Sequence, residues 1–188
     1  MNLHSVSGKS WVLKKYNNED LNFIKENFSL DEITSKLLSI RKIKKEDIKS
    51  FLNPLIKNFL PNPSSLEDME KSTLRVVKAI KDNEKIGIFG DYDVDGATST
   101  ALLGNYFAEL NLNFEIYIPD RKKEGYGPSV KSFKQLINNE VKIIFTVDCG
   151  TLSFDAIDYA RERNIDVIVL DHHQSEVKLP MAFSIINP

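Results

Sequence analysis

Three aspartates stand at alternate positions in Gly90-Asp91-Tyr92-Asp93-Val94-Asp95-Gly96, directly behind the apolar run Ile86-Gly87-Ile88-Phe89. At that spacing the carboxylates repel one another unless something positive lies between them. A hard cation such as magnesium, manganese or calcium relieves the repulsion. Gly90 and Gly96 are expected to let the backbone turn tightly on either side. Two further groups carry similar chemistry. Asp148 follows Ile143-Ile144-Phe145-Thr146-Val147, and Asp171-His172-His173 follows Val167-Ile168-Val169-Leu170. The chain has three histidines. Two of them are adjacent here beside a carboxylate, which favours a working role over a structural one.

Several readings of the acidic turn compete. The calcium loop of an EF-hand fits its first half, but the twelfth position is Leu102 instead of glutamate and a strand pattern precedes it. A P-loop would need a Gly-Lys-Ser/Thr ending. A dinucleotide fingerprint would not be acidic, since carboxylates repel a pyrophosphate. Asp93-x-Asp95-Gly96 after a strand is similar to the nucleophile motif of haloacid-dehalogenase-type phosphatases. The plainest alternative is a solvated acidic loop with Asp95 at the amino end of the next helix.

The surrounding elements favour a site. Strand patterns at 86–90, 114–118, 142–147 and 166–170 alternate with helix patterns at 96–110, 129–138 and 153–163. Residues 183–186 can begin another strand. This alternation predicts an α/β fold, a mostly parallel sheet flanked by helices with right-handed crossovers. All three acidic groups then lie at carboxyl ends of strands, along the edge where such sheets bind ligands. Asp148 is the candidate to bridge two ions. Ions roughly 3.5–4 Å apart would activate water and stabilise charge on phosphorus. Imidazole ligation favours manganese. The second histidine would face the phosphate as donor or general acid, and Asp171 could orient a histidine instead of ligating. The charged loop at 119–128 offers Arg121 to clamp a phosphate and Tyr126 to stack on a base.

The amino-terminal part reads as helical. Ser29-Leu30-Asp31-Glu32 has the form of a capping box, and a short helix is expected over 45–52. Leu60-Pro61-Asn62-Pro63-Ser64-Ser65 has linker chemistry, after which Ser65 is expected to cap a helix reaching about Asn83. The expected division is 1–63 and 64–188. Trp11 and Phe51 are expected to anchor the helical core. Arg41, Lys42, Lys44 and Lys45 read as a solvated basic face. A net charge of -2 gives no global nucleic-acid footprint. No window approaches the roughly eighteen apolar residues of a membrane span. The first fifteen residues lack the apolar core of a signal peptide. The one cysteine, Cys149, excludes an internal disulfide, fits a reducing cytoplasm, and reads as a small buried residue. The chain ends at Asn187-Pro188 without a closing helix, which reads as a truncation.

These motifs together resemble the DHH phosphoesterase family. The resemblance is carried by GDYDVDGATSTALL, YIPDRKKEGYGPS, TVDCGT, LDHHQ and the closing INP, with LLSIRKIKKEDIKSFLNP upstream. Within the family the chain looks like the amino-terminal part of the bacterial single-strand-specific exonucleases. The resemblance implies a DHH-type domain preceded by a helical segment. It also implies 5′-to-3′ exonuclease action on single-stranded DNA in repair and recombination, with manganese or magnesium, two ions in the complete protein. A single-stranded-DNA-binding protein and a helicase are the implied partners. Carried over, Asp91, Asp93 and Asp95 form the first metal motif, with Asp93 and Asp95 ranked ahead of Asp91. Asp148 forms the second, and Asp171, His172 and His173 the third. Asp93, Asp95, Asp148, His172 and His173 would be catalytic, with His172 also a metal ligand. His173, Arg121 and Tyr126 would meet substrate. Many members carry a histidine where Phe89 stands. A fourth-motif aspartate and a carboxyl-terminal domain fall outside these residues, so weak activity is expected of 1–188 alone. A small-molecule or oligonucleotide phosphoesterase of the same family is the alternative, and a non-catalytic remnant that binds nucleic acid is a more distant one.

Overall fold

Apolar runs too short for helices, each bounded by turn residues, form the middle of a parallel sheet. In this computed structural model residues 3–4 and 6–188 are described, with side chains from residue 6 onward. The chain divides into two compact units, Met1–Leu60 and Pro61–Pro188.

The first unit begins with an antiparallel pair, β1 (Leu3–His4) and β2 (Ser10–Trp11). The helices α1 (Asn18–Phe28), α2 (Glu32–Ile40), α3 (Ile48–Leu52) and α4 (Ile56–Phe59) follow. Its core is Ile24, Leu38 and Ile48, with Phe23, Phe28, Leu30 and Ile43 against them. Two expectations fail here. Trp11 is 66% exposed and Phe51 50%. Trp11 sits on a two-residue strand of the β1/β2 pair, and α3 turns Ile48 inward instead of Phe51. The expected capping box is also replaced. Asp31 caps α2, accepting from the Thr34 amide at 3.0 Å, while Ser29 closes α1 in the left-handed conformation. Arg41, Lys42, Lys44 and Lys45 are exposed.

The second unit opens with α5 (Met69–Lys81). Ser65 does not cap it. Ser65 ends a separate 3-10 turn, and Asp68 stands at the amino end of α5 with φ 58°. There follow β3 (Ile86–Gly90), α6 (Val94–Glu109), β4 (Phe114–Tyr117), α7 (Arg121–Glu124) and α8 (Val130–Asn138). The chain closes with β5 (Ile143–Val147), α9 (Phe154–Arg161), β6 (Asp166–Leu170) and β7 (Ser184–Ile186). The five strands pair in parallel in the order β4-β3-β5-β6-β7. The Asp68 carboxylate accepts from the Ile185 amide at 2.9 Å, tying α5 to the last strand.

Strand alternation sends side chains to two cores. Ile86, Ile88, Ile143, Phe145 and Ile168 meet Ala79 of α5 and Phe107 of α6 on one face. Phe89, Ile144, Val167 and Val169 meet Phe133 and Leu136 of α8 and Ile157 of α9 on the other. Phe89 is fully buried, stacked on Tyr117 at 5.6 Å and edge-on to Phe133. It points into the core, away from the acidic turn's chemistry. The buried face of α6 differs from the apolar pattern. Gly96, Thr100, Gly104 and Phe107 face inward, while Leu102 and Tyr106 are 75% and 56% exposed. Small residues at four-residue spacing bring this helix close to the sheet. A Cβ on Gly104 would lie 3.2 Å from Ile116 Cδ1.

The chain leaves β3 through α6 towards β4, and leaves β5 through α9 towards β6. These connections run to opposite sides on opposite faces. The carboxyl ends of β3 and β5 therefore flank the switch point of the sheet, where open α/β folds form a ligand crevice. Replacing Phe89 with alanine leaves a cavity between two aromatic rings and is expected to cost about 3–5 kcal/mol in urea denaturation. Trp11→Ala, at an exposed site, is expected to stay within about 0.5 kcal/mol of the parent.

Candidate metal centre

Asp91 leaves β3 already buried, 1% exposed. Two close approaches put it there. A Cβ on Gly90 would fall 1.9 Å from Thr100 Oγ1, and one on Gly96 would fall 2.5 Å from the Asp91 carbonyl oxygen. The two glycines thus act by admitting α6 against the strand end. Neither is among the positive-φ glycines, so the expected role in tight turning is not the one they have. Asp93 is the N-cap of α6, its Oδ1 accepting from the Gly96 amide at 3.0 Å.

At the end of β5, Asp148 takes φ 61°, the left-handed region that non-glycine residues rarely enter. Its amide donates to the Leu170 carbonyl at 2.9 Å. Gly150 follows at φ 113°, where a Cβ would meet Thr146 Oγ1 at 2.3 Å. At the end of β6, the Asp171 carboxylate is fully engaged. Oδ1 accepts from the His172 and His173 amides, at 2.8 and 3.1 Å, and pairs with His173 Nδ1 at 2.7 Å. Oδ2 accepts from the Thr151 amide at 3.0 Å. With its oxygens committed, Asp171 orients the loop and the His173 ring.

Two groups of candidate ligand atoms converge. Asp91, Asp93 and Asp148 form one, and Asp148, His172 and His173 the other, each with its atoms within 4.8 Å of one another. Asp148 is common to both, the position a bridging carboxylate would need. His172 Nε2 lies 3.0 Å from Asp148 Oδ1. Asp91 Oδ1 is buried with no hydrogen-bond partner. An unpaired carboxylate oxygen costs free energy in the interior, and a cation among three carboxylates would remove that cost. The donor set of carboxylate oxygens with imidazole fits a divalent ion. Asp95, exposed on the first turn of α6, is in neither group, and it lines a depression of about 520 Å³ together with Asp148, Asp171 and His172. Asp91 is thus among the converging ligand atoms, and Asp95 borders the same space.

The electrostatics follow this geometry. Burial and the neighbouring Asp93 carboxylate raise the Asp148 pKa, while the Gly96 amide holds that of Asp93 down. Burial would raise Asp171, but hydrogen bonds from Thr151 and His173 outweigh it and hold the pKa at about 2. The Asp171 hydrogen bond raises His173 above its ordinary value. Burial pushes the Cys149 thiol well up, with nearby carboxylates adding to it, so this cysteine stays protonated.

Arg121 lies with its guanidinium 4.7 Å from the centre of the Tyr92 ring, which holds it near the acidic turn. The Tyr126 hydroxyl is 3.4 Å from the Asp148 carbonyl and 3.5 Å from His173 Nδ1. Its ring meets His173 edge-on at 6.0 Å. Three residues were missed by residue-level reading. They are Tyr92, Thr151 and Asn187, whose amide donates to the His173 carbonyl at 2.9 Å and to Thr151 Oγ1 at 3.2 Å. Their only signal was membership of the segments GDYDVDG, TVDCGT and INP.

Residues 85–188 match the DHH family, N-terminal domain, and the chain belongs to that family. The single-stranded-DNA-specific exonuclease RecJ of Bacillus subtilis is 32% identical over 184 residues, 97% of this chain and 23% of that protein. RecJ of Haemophilus influenzae is 38% identical over 138 residues, 73% of this chain and 24% of that protein. The chain thus spans about a quarter of the length of the curated relatives it matches. A crystal structure of exonuclease RecJ bound to manganese superposes with TM-score 0.61 at 29% identity, over 65% of this chain and 31% of that one. RecJ of Thermus thermophilus, in complex with Mn2+, shares the fold with TM-score 0.63 at 20% identity, over 94% of this chain and 24% of that one.

Because a Cβ on Gly96 meets backbone, Gly96→Ala must shift either α6 or Asp91. It is expected to cost about 1–3 kcal/mol in urea denaturation and to lower Mn2+ affinity measured by titration calorimetry. Unchanged Mn2+ binding would separate Asp91 from the ion.

Proposed function

We propose that this chain carries the metal-binding core of an exonuclease that hydrolyses phosphodiester bonds of single-stranded DNA. The observation that carries the reading is the unpaired, buried Asp91 oxygen, set beside Asp93 and Asp148 and across from the two histidines. Membership of the DHH family and the relatives' activity on single-stranded DNA support it. We assign Asp91, Asp93, Asp148 and His172 as ligands, and Asp95, which lines one depression with Asp148 and His172, as a further one. A divalent cation held there, manganese or magnesium, supplies charge neutralisation to the phosphate and acidifies water.

The chain's own residues do the rest. His173 donates Nδ1–H to the Asp171 carboxylate, which leaves Nε2 for the substrate. The Asp171 hydrogen bond raises its pKa, and in the protonated form Nε2 can donate to a phosphate oxygen or protonate the leaving oxygen. Arg121, held on Tyr92, offers a fork to a neighbouring phosphate. Tyr126 closes the other side of His173. The reading places the activity in the cytoplasm, in DNA repair and recombination. A helicase and a single-stranded-DNA-binding protein would be the partners that supply the strand. Among the described residues no helix is long and apolar enough to cross a membrane.

Alanine at Asp93 or Asp148 is expected to lower Mn2+ affinity at least about tenfold and to abolish manganese-dependent release of nucleotides from end-labelled single-stranded DNA. Parental behaviour of either variant in both assays would sink the assignment. Labels at the 5′ and the 3′ end read the polarity. Arg121→Ala is expected to weaken single-stranded DNA binding severalfold, in fluorescence anisotropy at low salt, while Mn2+ affinity is kept.

A further inference from the structure

A cavity of about 830 Å³ opens beside the metal centre, between the segments 126–130 and 150–156. We propose that it is the subsite for the nucleobase of the nucleotide whose phosphate meets His173. The proposal rests on the phosphoesterase reading above and adds the specificity element to it.

Three observations carry it. The first is continuity. Asp171 and His173 line the cavity, and His173 is also one of the convergent ligand groups. Tyr126 forms the shared wall, its hydroxyl turned to Asp148 and His173 while its ring borders the cavity. A nucleoside on a phosphate at His173 therefore lies next to the cavity.

The second is the lining. Val130, Leu152 and Phe154 join Tyr126 there. Leu152 is 49% exposed, Val130 40% and Tyr126 58%. Apolar side chains left open around one concavity gain free energy only from a ligand with apolar faces. A heterocyclic base is such a ligand, and a sugar or a phosphate is not.

The third is charge. No lysine or arginine lines the cavity, whereas Asp155 and Asp171 do. A second phosphate is repelled from it, so the uncharged end of the nucleotide is the part that enters. Of the polar groups at its border, Asp171, His173 and Thr151 are already engaged with one another or with Asn187. Contact through the base face predicts binding without strong preference between purine and pyrimidine.

The test is a calorimetric titration of the chain with Mn2+ present, using thymidine 5′-monophosphate, deoxyadenosine 5′-monophosphate and 2-deoxyribose 5-phosphate. Both nucleotides are expected to bind about tenfold or more tightly than the sugar phosphate, as base stacking generally contributes. Leu152→Ala and Val130→Ala, both partly exposed and outside the metal cluster, are expected to shrink that ratio while leaving the sugar phosphate unchanged. Equal affinity for all three ligands would overturn the subsite and leave the metal centre standing. So would a ratio that survives both variants. If none of the three binds with Mn2+ present, the phosphoesterase reading falls and the subsite falls with it.

Discussion

Burying a carboxylate with one oxygen unpaired is costly, and the second unit is built so that Asp91 has no alternative. The constraint is the close approach of α6 to the end of β3. Gly90 and Gly96 leave space that Thr100 and the Asp91 backbone fill, so the helix clamps the turn from one side. Asp93 caps the same helix and is fixed by the Gly96 amide. Two acidic side chains are thereby held at one strand end, Asp91 by steric fit and Asp93 by its helix-capping hydrogen bond. Their mutual repulsion, and that of Asp148, is the free energy a divalent cation would release. Stability and metal binding are coupled through this helix, which is why a single methyl group at Gly96 should disturb both.

The sheet order supplies the remaining geometry. Because the chain leaves β3 and β5 in opposite directions, their ends are not covered by a shared crossover, and Asp148 emerges beside Asp91 and Asp93. The left-handed backbone at Asp148, with Gly150 behind it, turns this carboxylate towards both its neighbours and His172. On the next strand, Asp171 spends its oxygens on backbone amides and one imidazole. The division of labour between two similar aspartates follows from their partners. Asp148 keeps its oxygens near the candidate ligands, whereas Asp171 fixes the orientation of the His173 ring through Nδ1. Asn187 closes the ring by joining the His173 carbonyl to Thr151. The cavity on the α8 and α9 side then begins where this ring ends.

The sequence by itself determined the parallel α/β unit, because strand and helix periods are local and strong. It placed β3, β5 and β6 within one residue of their observed bounds. It also singled out Asp91, Asp93, Asp95, Asp148, Asp171, His172 and His173, since each follows an apolar run by at most six residues. What it lacked were contacts between distant segments. The inward face of α6 is made of glycine and threonine, so hydrophobicity pointed to Leu102 and Tyr106, which are exposed. Trp11 and Phe51 are large and apolar, but no element covers them within the described residues of their unit. Asp91 and Asp95 have the same chemistry and a similar sequence setting. Only the packing of α6 on β3 decided that one is buried in the cluster and the other lies exposed beside it, because burial depends on what approaches a residue in space.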